Sequence, residues 1–210
     1  VALKVITADY ARHPGFQASL RHEVRAMATL SHPHIVRVLD QGEIDAEAAR
    51  LTEYQLVEGS PYIAMEMVDG GTLADHVLAL AWSDVRDILI KLLGALGHAH
   101  ARRVLHRDLK PANLLLSLGG TTWDLKLTDF GIAHPLHAAE REGPRVAGTP
   151  HFMAPEQQAG EWRRYRPSTD LFSVGRIASA LLKRDDEGRA MVPRGFNDWM
   201  ARILADEVGL

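Results

Sequence analysis

The chain has 210 residues, 46% of them hydrophobic and 24% charged, and its formal net charge is −3. This length allows one sizeable core or two small lobes. The slightly acidic balance gives no electrostatic reason to expect binding to nucleic acid or to an anionic membrane. The absence of cysteine excludes disulfides and thiolate metal sites and fits a reducing compartment, so we expect a cytoplasmic location. No apolar run approaches the roughly 18 residues of a membrane-spanning helix, so we expect no membrane contact from this segment.

The first elements place one acid on an apolar stripe. Val1–Ile6 is short and rich in β-formers, which predicts a strand. Apolar residues recur at helical spacing over Phe16–Leu30, and Glu23 falls on the same stripe. A buried acid needs a cationic partner, and Lys4 on the strand is the natural candidate. The alternative is an exposed Glu23 that meets Arg21 or solvent.

Two further strands and a polar insertion follow. Ile35–Leu39 and Pro61–Val68 have strand-like composition. The segment Asp40–Ser60 between them is polar and rich in Ala and Glu, and we interpret it as an insertion carrying a hairpin. Asp69–Gly71 ends the second strand as a turn.

The rest of the chain is mainly helical. A strongly periodic pattern begins at Trp82, with Ser83 as its predicted N-cap. Leu114–Leu116 and Leu125–Leu127 predict a hairpin around a Gly-Gly turn, and Ser168–Leu182 predicts another helix. The predicted buried face of the first helix comprises Val85, Ile88, Leu89, Leu92, Leu93 and Leu96.

The stretch Val104–Leu116 (VLHRDLKPANLLL) packs charge between two apolar segments, which is typical of a functional loop. Its polar residues are His106, Arg107, Asp108, Lys110 and Asn113.

Two later motifs give this loop a context. An Asp-Phe-Gly tripeptide begins at Asp129, 21 residues after Asp108, and an Ala-Pro-Glu tripeptide ends at Glu156, 27 residues later. In this order and spacing the chain resembles Hanks-type (eukaryotic-like) serine/threonine protein kinases. The segments HRDLKPANLLL and GTPHFMAPEQ are most similar to the bacterial branch.

The resemblance implies an α+β, bilobal protein-kinase-like fold, with a small β-rich lobe over a mainly α-helical lobe. Residues 1–68 would form a partial small lobe, and residues 69–210 the helical lobe with the catalytic loop and activation segment, together one kinase domain. The implied reaction is ATP- and Mg²⁺-dependent phosphoryl transfer to serine or threonine of a protein substrate.

The resemblance also assigns catalytic roles. Asp108 would accept the proton of the acceptor hydroxyl, and Lys110 would lie near the transferred phosphate. Asn113 and Asp129 would supply the oxygen ligands that Mg²⁺ prefers. Catalytic Lys4 and Glu23 would pair, and Lys4 would contact the ATP phosphates.

The implied adenine site lies where the strands meet the second lobe. Met65 would be the gatekeeper beside the pocket, and the backbones of Glu66 and Val68 would hydrogen-bond adenine. Ala2 would also contact the nucleotide, and Leu115 would form the floor of the site.

Three residues have implied supporting roles. His106 and Phe130 would pack beneath the site, stacked with Met27. Asp170 would hold the backbone of the catalytic loop, although an acid is also favoured at a helix N-terminus.

The chain also departs from the family pattern at its ends. The Gly-rich loop that covers the phosphates in kinases is expected before Val1–Ile6 and is not in this chain, and only 40 residues follow Asp170. Arg202 lies too early to match the late arginine that pairs with the acid of Ala-Pro-Glu. We interpret the chain as a fragment that lacks part of each lobe.

The activation segment is unusual. Residues 131–148 contain no Ser, Thr or Tyr, so phosphorylation there is not available to order them. We hypothesise that Glu140 or Glu142 supplies a permanent charge for Arg107, which binds a phosphate in many kinases. Thr149 matches the threonine that marks Ser/Thr specificity.

Two other functions remain as alternatives. A pseudokinase or binding module is supported only by the missing phosphate-covering loop. A small-molecule phosphotransferase would use the same order of catalytic residues, Asp, Asn and Asp. Lys110 and the segment Thr149–Glu156 argue against it, because in the kinase family that segment shapes a peptide-binding surface. We expect a protein substrate and no nucleic acid, and the sequence does not indicate an oligomeric state.

Two further patterns favour ordinary explanations. His13, His22, His32 and His34 suggest a metal site, but Ser31–Val36 (SHPHIV) resembles the ordinary connection after the kinase helix. Trp162–Arg166 (WRRYR) favours a solvated basic loop over a nucleic-acid or acidic-peptide site.

Overall fold

The structure is a computed structural model, and it describes residues 1–5, 24–52, 56–76, 80–119, 122–130, 150–182 and 191–205.

The small lobe is built on a three-stranded antiparallel sheet. Its strands are β1 (Ala2–Val5), β2 (Val38–Glu43) and β3 (Pro61–Met65), in the order β1-β3-β2. The described end of the predicted first helix, residues 24–28, is helical and is called α1. Its side chains at Val24 and Met27 are buried.

The predicted strand Ile35–Leu39 is wrong in its bounds. Strand β2 starts only at Val38, because the preceding residues pair with the other lobe. The Val36 N–H donates to the Leu127 carbonyl (2.9 Å), and the Leu127 N–H donates to the His34 carbonyl (3.0 Å). The sheet is therefore joined to the helical lobe by backbone hydrogen bonds on one side.

The insertion before β3 carries a helix, α2 (Ala46–Leu51), where a hairpin was predicted. Its composition, Ala-Glu-Ala-Ala-Arg-Leu, consists of good helix formers. The Asp45 side chain caps it by accepting the Ala48 N–H at 2.7 Å. Strand β3 ends at Met65, three residues earlier than predicted.

The long helix α3 (Trp82–His100) confirms the predicted period, and Leu93 alone of the predicted face is only partly buried. Its N-cap is Ala81, so the prediction of Ser83 is wrong. The Leu80 N–H donates to the Leu181 carbonyl (2.9 Å), which anchors the chain just before the helix begins.

The remaining elements complete the helical lobe. Strands β4 (Leu114–Gly119) and β5 (Thr122–Leu127) form the predicted hairpin. They are followed by α4 (Pro155–Gln158), α5 (Pro167–Leu181) and α6 (Phe196–Ile203). Within the described residues, no helix combines the length and the apolar character that crossing a membrane requires.

The junction between the lobes lies directly on the β4–β5 hairpin. The Leu116 N–H donates to the Gly71 carbonyl at 2.9 Å, and Thr72 forms a β-bridge with Leu115. A Cβ atom on Gly70 would lie 2.2 Å from the Leu116 carbonyl oxygen. Only glycine allows this close approach without displacing backbone.

Gly70→Ala is expected to lower the free energy of unfolding by roughly 1–3 kcal/mol, because backbone must shift to admit the methyl group. Gly97→Ala is the matched control, since Gly97 is an exposed residue of α3 and its Cβ would have nothing within 4 Å. That change should stabilise the chain by about 0.5–1 kcal/mol. Urea denaturation measures both, and equal effects would contradict the close approach.

Candidate active site

Three predicted catalytic residues meet in the loop that follows α3. The Asp108 carboxylate oxygen Oδ2 binds Lys110 Nζ at 2.7 Å and Asn113 Nδ2 at 3.1 Å. The same Asn113 amide nitrogen donates to the Asp108 carbonyl at 2.7 Å. The amide nitrogen is thereby committed, and among the described residues Asn113 Oδ1 has no partner. That oxygen is free to bind a cation.

Asp129 lies opposite this loop, two residues after β5. Its Oδ1 contacts Lys4 Nζ at 2.8 Å, which brings strand β1 to the same site. Both side chains are partly exposed, so this ion pair contributes little to stability and mainly fixes position. Asp129 has a φ of 63°, a conformation that non-glycine residues adopt mostly at constrained sites. Glu23 lies outside the described residues, and its predicted pairing with Lys4 stays a prediction.

The catalytic loop is held from below by Asp170, a buried residue of α5 that is 1% exposed. Its two carboxylate oxygens accept the His106 and Arg107 backbone N–H groups, each at 2.9 Å. His100 Nε2 lies 2.7 Å from Oδ2. The geometry matches the predicted role of Asp170, since a buried carboxylate requires several donors of this kind.

His106 fills the space under the site. Its Nε2 donates to the Thr128 carbonyl (2.8 Å), and its Nδ1 accepts the Asp108 N–H (3.3 Å), which fixes the neutral Nε2–H tautomer. Burial lowers the pKa of His106, although Asp170 alone would raise it. Its ring contacts Phe130 with centroids 4.7 Å apart, and Met27 lies in the same buried cluster.

The predicted adenine-site residues lie around the lobe junction. Ala2 is directly opposite Met65 in the sheet, and Val68 and Leu115 pack partly buried against the core. The Glu66 N–H donates to the Arg37 carbonyl at 3.0 Å. Of the Glu66 backbone groups, the carbonyl is therefore the one left for a ligand.

The Glu66 side chain connects three segments. Its Oε1 accepts the Arg37 N–H and the Lys126 ammonium, each at 2.8 Å. Burial alone would raise the pKa of Glu66, but hydrogen bonds from Lys126 and Arg37 lower it below its usual value. Lys126 was not among the predicted site residues. The sequence signal that could have found it is the alternation of apolar and polar residues along β5. This alternation puts Lys126 directly opposite Leu115, a predicted adenine-site residue.

The remaining predicted residues belong to the activation segment and to the Ala-Pro-Glu motif. Thr149, Glu140 and Glu142 lie outside the described residues. Glu156 accepts the Thr169 hydroxyl at 2.5 Å, whereas Arg202 Nε donates to the Asp198 carbonyl of its own helix at 3.3 Å.

The histidines and the basic segment Trp162–Arg166 were the two patterns for which the sequence favoured ordinary explanations. His13 and His22 lie outside the described residues, and within the described part no three His, Cys, Asp or Glu side chains form a metal-binding group. Trp162–Arg164 is an exposed 3-10 turn.

Fold and site together define the class of protein. A model of the protein kinase domain matches residues 1–188. The chain belongs to the protein kinase domain family.

The similar proteins are bacterial serine/threonine-protein kinases. The chain is 35% identical over 190 residues to the probable kinase PknB of Bifidobacterium longum, covering 87% of this chain and 26% of that protein. It is 36% identical over 187 residues to PknB of Mycobacterium leprae, covering 87% and 28%. The chain thus spans about a quarter of the length of these curated relatives. Among solved structures, the PknI kinase domain of Mycobacterium tuberculosis aligns with a TM-score of 0.69 and 29% identity, covering 98% of this chain and 77% of that one.

Asp170→Asn is expected to destabilise the fold by about 2 kcal/mol or more, because the buried carboxylate loses its charge and presents an NH₂ group to a backbone donor. Asp87→Asn is the control, since Asp87 is exposed and its ion pair within the described part of the chain is with the adjacent Arg86. Its effect should stay within about 0.5 kcal/mol. Urea denaturation compares the two, and similar losses would show that Asp170 does not hold the loop.

The neutral state of His106 predicts a pH dependence of stability. Its pKa is lowered in the fold, so the unfolded chain binds more protons once the pH falls below about 6.5, the usual histidine pKa. The stability is therefore fully present above that pH and is lost on acidification, by up to about 1.4 kcal/mol per pH unit.

Unfolding measured at pH 7.5 and 5.5 tests this dependence. His106→Gln cannot titrate and keeps a donor for the Thr128 carbonyl, so its pH slope should be smaller than that of the wild type whatever its absolute stability. An unchanged slope would contradict the assignment.

Proposed function

We propose that this domain catalyses transfer of the γ-phosphoryl group of ATP to serine or threonine hydroxyls of a protein substrate, with Mg²⁺ as cofactor. The observation that supports it best is the grouping of Asp108, Lys110 and Asn113, with the Lys4–Asp129 pair contributed by other elements. These are the residue types that positioning and charge stabilisation of phosphoryl transfer require.

The donor set fits a magnesium ion. Asn113 Oδ1 and the second carboxylate oxygen of Asp129 have no partner among the described residues, and both are hard oxygen ligands. Bound Mg²⁺ would neutralise charge that develops on the phosphate oxygens. Asn113 and Asp129 are the residues that would hold it.

The protein's own groups would position the reactants. Asp108 would accept a hydrogen bond from the incoming hydroxyl, orient it in line and take its proton. Lys110, now 2.7 Å from Asp108, would offer its ammonium to the transferred phosphate. Lys4 would exchange part of its contact with Asp129 for the ATP phosphates.

The adenine ring would bind at the lobe junction. The Glu66 carbonyl and the Val68 N–H would hydrogen-bond the edge of the adenine ring. The ring itself would lie between Ala2 and Leu115. Met65 would border the pocket. Support comes from the placement of these five residues around one junction.

A small-molecule phosphotransferase is less well supported. The relatives described above carry the name serine/threonine-protein kinase. The segment after Pro150 also lies against the catalytic loop, where a peptide would be held.

Asp108→Asn is expected to lower phosphoryl transfer by about 100-fold or more, because the base and the orienting charge are both lost. Labelled γ-phosphate transfer from Mg·ATP to a generic basic protein and to the chain itself measures it. Asp87→Asn, exposed on α3, should retain wild-type activity.

The same assay distinguishes an active kinase from a pseudokinase. Activity in the wild type that vanishes with Asp108→Asn would establish the kinase. No transfer from the wild type, nor from a longer chain that includes any residues encoded before Val1, would indicate a pseudokinase.

A further inference from the structure

Gln157 joins the catalytic loop to the segment that follows the activation segment. Its Nε2 donates to the Arg107 carbonyl at 2.5 Å, across 50 residues of chain. Its Oε1 accepts the Ala154 N–H at 3.1 Å. One side-chain amide thus binds residues 150–158, called here the 150–158 segment, to the loop that carries Asp108.

The Arg107 carbonyl belongs to the peptide plane that precedes Asp108. The other end of that plane is the Asp108 N–H, which donates to His106 Nδ1 at 3.3 Å. Gln157 and His106 therefore hold the two polar ends of one peptide unit. Since the orientation of this plane sets the direction of the Asp108 side chain, its fixation bears directly on the carboxylate.

This part of the loop requires external support. Arg107 has a φ of 68°, a left-handed conformation that costs a non-glycine residue of order 1–3 kcal/mol and persists only where surrounding contacts determine it. Asp170 accepts its N–H at 2.9 Å, and Gln157 binds its carbonyl. The strained residue is thus fixed on both sides, from two different elements.

The two sides face each other across a small pocket. It is lined by Asp108 and Lys110 of the loop and by Phe152 and Met153 of the 150–158 segment, with Gln157 between them. The neighbouring Gln158 behaves differently. Its amide donates to the Pro150 (3.3 Å) and Met153 (3.0 Å) carbonyls, both within its own segment.

We propose that Gln157 is a positioning residue that couples the 150–158 segment to Asp108, so that the orientation of the catalytic carboxylate depends on how this segment sits. The inference rests on the proposed function and extends it to a residue outside the catalytic loop. The donor Nε2, not the acceptor Oε1, carries the coupling.

Gln157→Glu tests the donor alone. The variant keeps an oxygen for the Ala154 N–H but has no hydrogen to give the Arg107 carbonyl. Its kcat for a peptide substrate should fall roughly 10- to 100-fold, because slight misplacement of a catalytic group has effects of this size. The KM for ATP should stay within about twofold. Gln41→Glu, at an exposed residue of β2, is the matched control and should keep wild-type kcat.

A pH profile provides the readout that a merely structural role would not affect. As the pH falls toward 5, the introduced carboxyl gains a proton and with it a donor. The kcat deficit of Gln157→Glu relative to the wild type should therefore shrink. A wild-type kcat, or a deficit that stays the same across the profile, would overturn the proposal.

Hydrogen exchange of the backbone amides in residues 104–110 decides the matter if the wild type shows no activity. Gln157→Glu should speed exchange in this loop, whereas Gln158→Glu should leave it at the wild-type rate. Equal exchange in the three proteins would overturn the role of Gln157. An inactive wild type would instead overturn the proposed function, so the two failures are distinguishable.

Discussion

The buried carboxylate of Asp170 is the interaction on which the site depends. Its two oxygens bind consecutive backbone N–H groups of the catalytic loop, and a carboxylate this deeply buried is stable only with such donors. The helix α5 that carries it packs in the core of the helical lobe. A helix packed in the buried core thereby fixes residues 104–110, which have no helix or strand of their own.

From this base, hydrogen bonds extend outward in layers. His106 hydrogen-bonds the carbonyl of Thr128, the residue before Asp129. Asp129 in turn forms an ion pair with Lys4 on the small sheet. The ion pair between Glu66 and Lys126 joins the lobe junction to the β4–β5 hairpin. The candidate active site thus consists of short polar contacts between elements that come from distant parts of the sequence.

The polar loop after α3, the hairpin and the long helices could be predicted from sequence, because their motifs and apolar periods are local. The bounds of β2 could not, since the residues around Ile35 pair with Leu127 instead of with the sheet. Helix α2 was missed although Ala46–Leu51 consists of good helix formers, because so short a helix gives no apolar period to detect. Gln157 carried no signal, since its partner is a backbone carbonyl 50 residues away.

The Glu66 contacts have a consequence for the design of small molecules. The Glu66 N–H donates to the Arg37 carbonyl, and its Oε1 accepts from Arg37 and Lys126. Among the described residues, the carbonyl is therefore the Glu66 backbone group that a compound at this junction finds unoccupied. Backbone groups are common to all chains of this fold. Selectivity for this domain is therefore expected from the shape that side chains such as Met65 give the junction more than from hydrogen bonds to its backbone.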